Sequence, residues 1–152
     1  MSLIEFLKDW IINHAKSKDV FSKTIVEIKK DVSEIVIIHK HKEEKYFLDP
    51  FLEKIDSDVK TLKDDSHAFV VCMNTIENLK KIIALWKELI TYRHLGVVFL
   101  NPFSKTEKTW TIFPYTHSMV ADDATLKSGL QTMFGQVEPV ERANIEKMYE
   151  NV

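Results

Sequence analysis

Two uninterrupted apolar runs, at 68–73 and 97–100, flank a strongly periodic segment in the middle of the chain. Runs without polar alternation are characteristic of strands buried on both faces, as in a parallel sheet covered by helices. Between them Ile76, Leu79, Ile82, Ile83, Trp86, Leu89 and Ile90 share one face of a long predicted helix. Asn74 with Glu77 three residues on resembles a capping box, and Gly96 stands where a C-terminal cap is expected. A β-α-β unit of this kind predicts an α/β class.

The flanks extend the pattern. Leu3, Phe6, Leu7, Trp10, Ile11 and His14 follow the spacing of one helical face. From Thr24 the period changes to two: Val26 and Ile28 point one way, Glu27 and Lys29 the other, which predicts a half-buried strand. Asp31-Val32-Ser33 is a turn before a more apolar strand at 34–40, and a polar connection at 41–44 leads to a short third strand at 45–48. Asp49-Pro50 is a helix-start signal, with Phe51, Leu52, Ile55, Val59 and Leu62 as the buried stripe and Asp64-Asp65-Ser66 as its close. After the strand at 97–100 a loop at 101–107 turns the chain into an antiparallel strand at 108–113, ended by Pro114. Asp122-Asp123 opens a helix carrying Leu126, Leu130, Met133, Phe134 and Val137; Pro139 stops it and starts a last helix with Ile145, Met148 and Tyr149.

The predicted order is α-β-β-β-α-β-α-β-β-α-α. It describes a single α/β domain over 1–152, with a mixed β-sheet parallel at its centre, antiparallel toward both edges, and flanked by helices. As an alternative, the order resembles the core of restriction-endonuclease-like nucleases. That resemblance implies an acidic residue near the second strand and a Glu-x-Lys pair on the third, holding a metal ion and positioning the attacking water. Glu27-Ile28-Lys29 has the spacing but falls on the first strand, and Glu43-Glu44-Lys45 falls in the charged connection before the third. Neither has a well-placed acidic partner, so a nuclease-like fold here carries a degenerate or displaced site.

Composition narrows the partners. A formal net charge of -2, from 21 basic and 23 acidic residues, gives no general pull toward nucleic acid or anionic lipid, and nucleic acid is not the expected partner. The single cysteine, Cys72, allows no intramolecular disulfide and no cysteine-based zinc site; inside an apolar run it reads as a small core hydrophobe. Glu5, Lys8 and Asp9 interrupt the N-terminal apolar pattern, and no window approaches roughly 18 uncharged apolar residues. The expectation is a soluble, cytoplasmic protein with no membrane partner.

Three constellations could carry chemistry. If the two apolar strands are parallel, Asn74, Thr75, Asn101, Ser104 and Lys105 gather at their C-terminal edge beside a helix N-terminus, where a small anion would bind. The structural alternative is Asn74 as a helix cap and Asn101-Pro102 as an ordinary turn. There is no glycine-rich phosphate loop, and no cofactor is expected. At the opposite edge the return strand would bring Tyr115 and His117 toward His67, with Asp65, Asp122 and Asp123 near in sequence, a set suited to acid/base work or metal ligation. His39 and His41 have chelating spacing but no nominated third ligand, so no metal is expected and the pair reads as a frayed strand end. His14, Trp10 and Trp86 read as packing; Trp110 and Ile112 share one face of the last strand and are either buried under the terminal helices or a dimer contact.

The resulting expectation is a non-catalytic binding or self-assembly module whose partner is an unknown protein or a second copy of itself. The alternatives are a ligand-binding or enzymatic domain working at the Asn74/Asn101 edge and a nuclease-like protein.

Overall fold

In the computed structural model, which describes residues 2–63 and 65–149, the two apolar runs lie inside a six-stranded sheet. Its strands are β1 (Ile25–Lys30), β2 (Glu34–His39), β3 (Glu43–Leu48), β4 (His67–Met73), β5 (Leu95–Leu100) and β6 (Thr109–Ile112). Their order in the sheet follows the chain. The β3–β4 and β4–β5 pairs are parallel; β1–β2, β2–β3 and β5–β6 are antiparallel. This is the mixed α/β domain, parallel at its centre, that the hydrophobic pattern predicts.

Helices cover both faces, which is why β5 can be buried along its whole length. On one face lie α1 (Leu3–Lys18) and α7 (Arg142–Met148). Leu3, Leu7, Ile11 and Ile12 of α1 and Ile145 of α7 pack with Ile35, Ile37, Leu48, Val71 and Met73 of the sheet. On the other lie α2 (Ile55–Val59), α3 (Ile76–Ala84), α4 (Trp86–Leu89) and α6 (Asp123–Phe134), over Phe47, Val70, Cys72, Phe99 and Trp110. The remaining helix, α5 (Pro114–Val120), follows β6. Trp110 is buried and stacked on Phe99 at 4.2 Å, so the last strand's aromatic face belongs to the core. Burial pushes the Cys72 thiol well above its usual range, as suits an inert core residue. Among the described residues no helix is long and apolar enough to cross a membrane.

Several local expectations are corrected, each for a physical reason. A β-bulge between Ile25 and Glu27 shifts the register of β1, so Ile25 and Ile28 turn inward while Val26 is 64% exposed. The predicted helix at Pro50 is a turn, because Leu52 takes a left-handed φ of 53° and the helix starts only at Ile55. Asp49 is not its cap but closes the preceding turn, its two oxygens accepting from the backbone N–H groups of Glu53 (2.9 Å) and Lys54 (2.8 Å). The long helix divides at Leu85 into α3 and α4, although Leu79, Ile82, Trp86 and Leu89 keep one buried stripe across the division. Glu43 and Glu44 belong to β3, extended there by pairing with Ile38 and Ile37. Pro114 ends a strand and also opens α5 at its first position, where its missing N–H costs nothing. Helix α6 stops before Val137, and α7 starts at Arg142, leaving Met148 exposed. Asp64, read as part of a turn, lies outside the described residues.

Gly96 is a strand residue of β5, not a helix cap. A Cβ there would stand 2.7 Å from the Phe69 ring and 3.0 Å from Phe113, so the absent side chain makes room for aromatic packing on the face that α1 covers. Gly96→Ala should therefore destabilise the protein by about 1–3 kcal/mol through overpacking. In a Phe69→Ala background the same change should be neutral or stabilising, a non-additivity that urea denaturation of the four-protein cycle will read directly.

Candidate functional site

At the C-terminal edge of the parallel strands the predicted residues Asn74, Thr75, Asn101 and Ser104 use their polar groups on the chain itself. Asn74 is fully buried. Its amide nitrogen donates to the carbonyls of Val137 (3.0 Å), Glu138 (3.3 Å) and Phe134 (3.4 Å), and its Oδ1 accepts from Trp110 Nε1 at 2.8 Å. Its backbone is engaged as well, the N–H donating to Leu100 and the carbonyl accepting from Val140. Asn101 donates to the Glu138 carbonyl at 2.8 Å and accepts from Phe103 N–H. Thr75, not Asn74, caps α3 by accepting from Asn78 N–H. Ser104 meets Thr106, and Lys105 is exposed. The segment 137–140 thus lies across the strand ends where a crevice would open.

The residues of the second predicted cluster divide into separate contacts. His67 stacks on His94 with ring centroids 4.4 Å apart. Tyr115 and His117 lie on α5, where Tyr115 receives the Arg93 guanidinium over its ring at 5.7 Å and His117 meets Trp86 edge-on at 5.6 Å. Asp122 caps α6 by accepting from Thr125 N–H. The two Glu-x-Lys pairs also fall apart. Glu27 and Lys29 face solvent on β1, and Lys45 of β3 pairs with Glu34 at 3.4 Å. Among the described residues no group of three or more His, Cys, Asp or Glu side chains could hold a metal ion.

An open groove with an aromatic floor lies elsewhere. Helix α1 crosses the sheet so that its C-terminal half becomes one wall of a groove of about 640 Å³. The floor is formed by side chains that alternate onto this face: Tyr46 of β3, Phe69 of β4, Val98 of β5 and Thr111 of β6, with Phe113 beyond. Phe69 stacks on Tyr46 at 4.9 Å and meets Phe113 edge-on at 5.8 Å, in the space that Gly96 leaves. The wall carries Trp10 stacked on His14 at 4.8 Å. Burial, aided by the charge of Lys18, holds the His14 imidazole below its ordinary pKa and so neutral near pH 7. Burial also pushes the Tyr46 phenol up, with the Glu44 carboxylate adding to the shift. Between Asp19 and Ser22, which line the groove, Val20 and Phe21 are exposed, Phe21 by 95%.

A polar relay closes one end of the groove. Asp19 Oδ1 accepts from the Thr24 N–H (2.8 Å) and hydroxyl (2.7 Å), and Oδ2 accepts from Ile25 N–H (3.0 Å). With its only hydroxyl proton given to Asp19, Thr24 Oγ1 accepts from His39 Nδ1 at 2.9 Å. His39 Nε2 meets Glu44 Oε1 at 2.5 Å, and Lys42 Nζ stands 3.7 Å from Glu44 Oε2. Threonine, histidine and glutamate in line suggest a nucleophile triad, but the proton count argues otherwise. A hydroxyl that donates to Asp19 and accepts from the ring has no proton aimed at that ring as a base. The relay is a strut between α1's end and the β1–β2–β3 meander. Sequence reading missed it because its members span residues 19 to 44. Only the β1–β2 register, which sets Ile25 opposite His39, brings them together.

Two measurements check this geometry. Asn74→Ala leaves the Trp110 N–H and buried carbonyls without partners, and should cost about 2–4 kcal/mol in urea denaturation while leaving m unchanged. The Asp19 carboxyl is held below its ordinary pKa, first by the Ile25 N–H and then by the two Thr24 donors. Its contribution is therefore present above the unfolded-state value and lost as pH falls through the folded one. Asp19→Asn should flatten that acid limb of the stability profile; an unchanged limb would remove the relay from the account of acid stability. Comparison of the chain with family models, with curated proteins and with solved structures finds no match.

Proposed function

We propose that the chain is a non-catalytic binding module whose ligand or partner occupies the groove between α1 and the sheet. The observation that carries the reading is the aromatic floor of Tyr46, Phe69 and Phe113, left open beside a helix wall at the N-terminal end of the parallel strands. The volume falls in the range of small-molecule sites, and apolar walls with a few polar groups are what such sites are made of. The polar groups at the other end of the same strands are engaged by the segment 137–140, which is why the groove is preferred to the Asn74/Asn101 edge.

A second reading, a nuclease-like protein with a degenerate site, draws on Glu43 and Lys45, whose Glu-x-Lys spacing lies on the third strand. Calorimetric titration with Mg²⁺ and Mn²⁺ discriminates it. Binding abolished by Glu43→Gln would support this reading, and heats indistinguishable from dilution would leave it without support.

The binding reading is tested by a mixed fragment screen followed with ¹⁵N-resolved NMR. Hits should shift resonances of Trp10, Phe69 and Thr111, and Thr111→Phe, which fills the groove from an edge strand, should abolish them in a folded protein. Hits that gather at Asn101 and Lys105 would overturn the reading in favour of the strand-end site, and a screen without hits on the groove would leave a protein surface unsupported as a ligand site.

A further inference from the structure

We infer that the free edge of β1 is a self-association surface, on which a second copy of this chain pairs antiparallel about a two-fold axis at Ile28. The inference is independent of the groove. The direction of the backbone groups comes first. In the β1–β2 hairpin the Asp31 N–H donates to the Glu34 carbonyl, and in the β2–β3 hairpin the His39 N–H donates to Lys42. Hydrogen-bonded positions recur at every second residue of an antiparallel pair. Glu27 and Lys29, opposite Ile38 and Val36, therefore turn their backbone groups toward β2. Ile28 and Lys30 turn theirs outward, and among the described residues no strand pairs with that edge. The other edge strand, β6, has only four residues and runs into α5 at Pro114.

Lysines and bulges ordinarily blunt an exposed edge against pairing. On β1 the bulge is confined to the stretch between Ile25 and Glu27, and beyond it Glu27 and Lys29 share one face. That pair makes the edge complementary to itself in a single register. Outward-facing residues must meet outward-facing residues, so the two-fold axis falls on a residue and not between two. At Glu27 it sets that carboxylate against its own copy, and at Lys29 or Lys30 it sets lysine against lysine; like charges directly opposite oppose pairing. At Ile28 it sets Glu27 against the partner's Lys29, twice over by symmetry. These are the closely spaced positions of the ladder, where side chains across strands stand nearest. Glu27 and Lys29 are both exposed, and among the described residues neither has an oppositely charged side chain within 4 Å. The same register places Ile28 beside its copy. It also brings Val32, 81% exposed, toward the partner's connection from α1 to β1, where Val20 and Phe21 are exposed.

Sedimentation equilibrium of the full chain at low ionic strength should show a monomer–dimer equilibrium with a dissociation constant below about 100 μM. Glu27→Lys and Lys29→Glu each turn two attractive pairs into two repulsive ones, and each should weaken the dimer at least about tenfold. The doubly reversed protein restores both pairs in the opposite sense and should recover the original constant. Hydrogen exchange supplies a readout that needs no variant: the Ile28 N–H, which faces away from β2, should become protected as concentration rises. A monomer at every concentration up to about 1 mM overturns the inference and leaves the edge to a strand of a different protein. A dimer indifferent to the single reversals, not rescued by the double one, or with Ile28 unprotected overturns it too, and assigns self-association to another face.

Discussion

The buried carboxamide of Asn74 ties together three parts of the chain. It sits where β4 ends, takes the indole N–H of Trp110 from β6, and supplies donors to the carbonyls that follow α6. An amide with both ends hydrogen-bonded can be buried at little net cost, whereas any partner left alone is expensive. That asymmetry makes the residue a specifier: only one placement of 137–140 satisfies it. Val137 then closes the core over Phe99 and Trp110, and Asn101 repeats the arrangement on the neighbouring strand.

Closing the strand ends in this way decides where the molecule can be open. Parallel strands ordinarily present their C-terminal edge to ligands. Here the chain covers that edge at the ends of β4 and β5, where 137–140 lies, and on the α1 face Ile145 of α7 joins the same core. Helix α1 packs its buried stripe against Ile35 and Ile37 of β2, Leu48 of β3 and Val71 and Met73 of β4. The floor beyond it, at Phe69 and Val98, is left as groove. Gly96 belongs to the same arrangement, since any side chain there would drive the Phe69 ring off its place.

How much of this was legible in the chain depends on the range over which each feature is encoded. The unbroken apolar runs identified β4 and β5 because burial on both faces is written in consecutive residues. The Leu79, Ile82, Trp86 and Leu89 stripe survived even where the helix divides. Features set by pairing were not legible. The bulge at Ile25 put Val26 and Ile28 on different faces, and the β2–β3 ladder drew Glu43 and Glu44 into a strand that their charge argued against. Asn74 and Asn101 were singled out correctly as neighbours at one edge. Their partners are backbone carbonyls more than thirty residues away, which leave no mark in side-chain chemistry. The Asp19–Thr24–His39–Glu44 relay was missed for the same reason, and so was the groove, whose lining comes from six separate elements.

The most direct measurement of the central constraint is hydrogen exchange at the Asn74 side-chain amide, resolved by NMR in the unliganded protein. Exchange as slow as the backbone N–H groups of β4 and β5, opening only with global unfolding, is the expected result for a carboxamide that locks 137–140 over the strand ends. Exchange at the rate of a surface asparagine would mean that the edge opens in the native state, and would return the ligand site to Asn74 and Asn101.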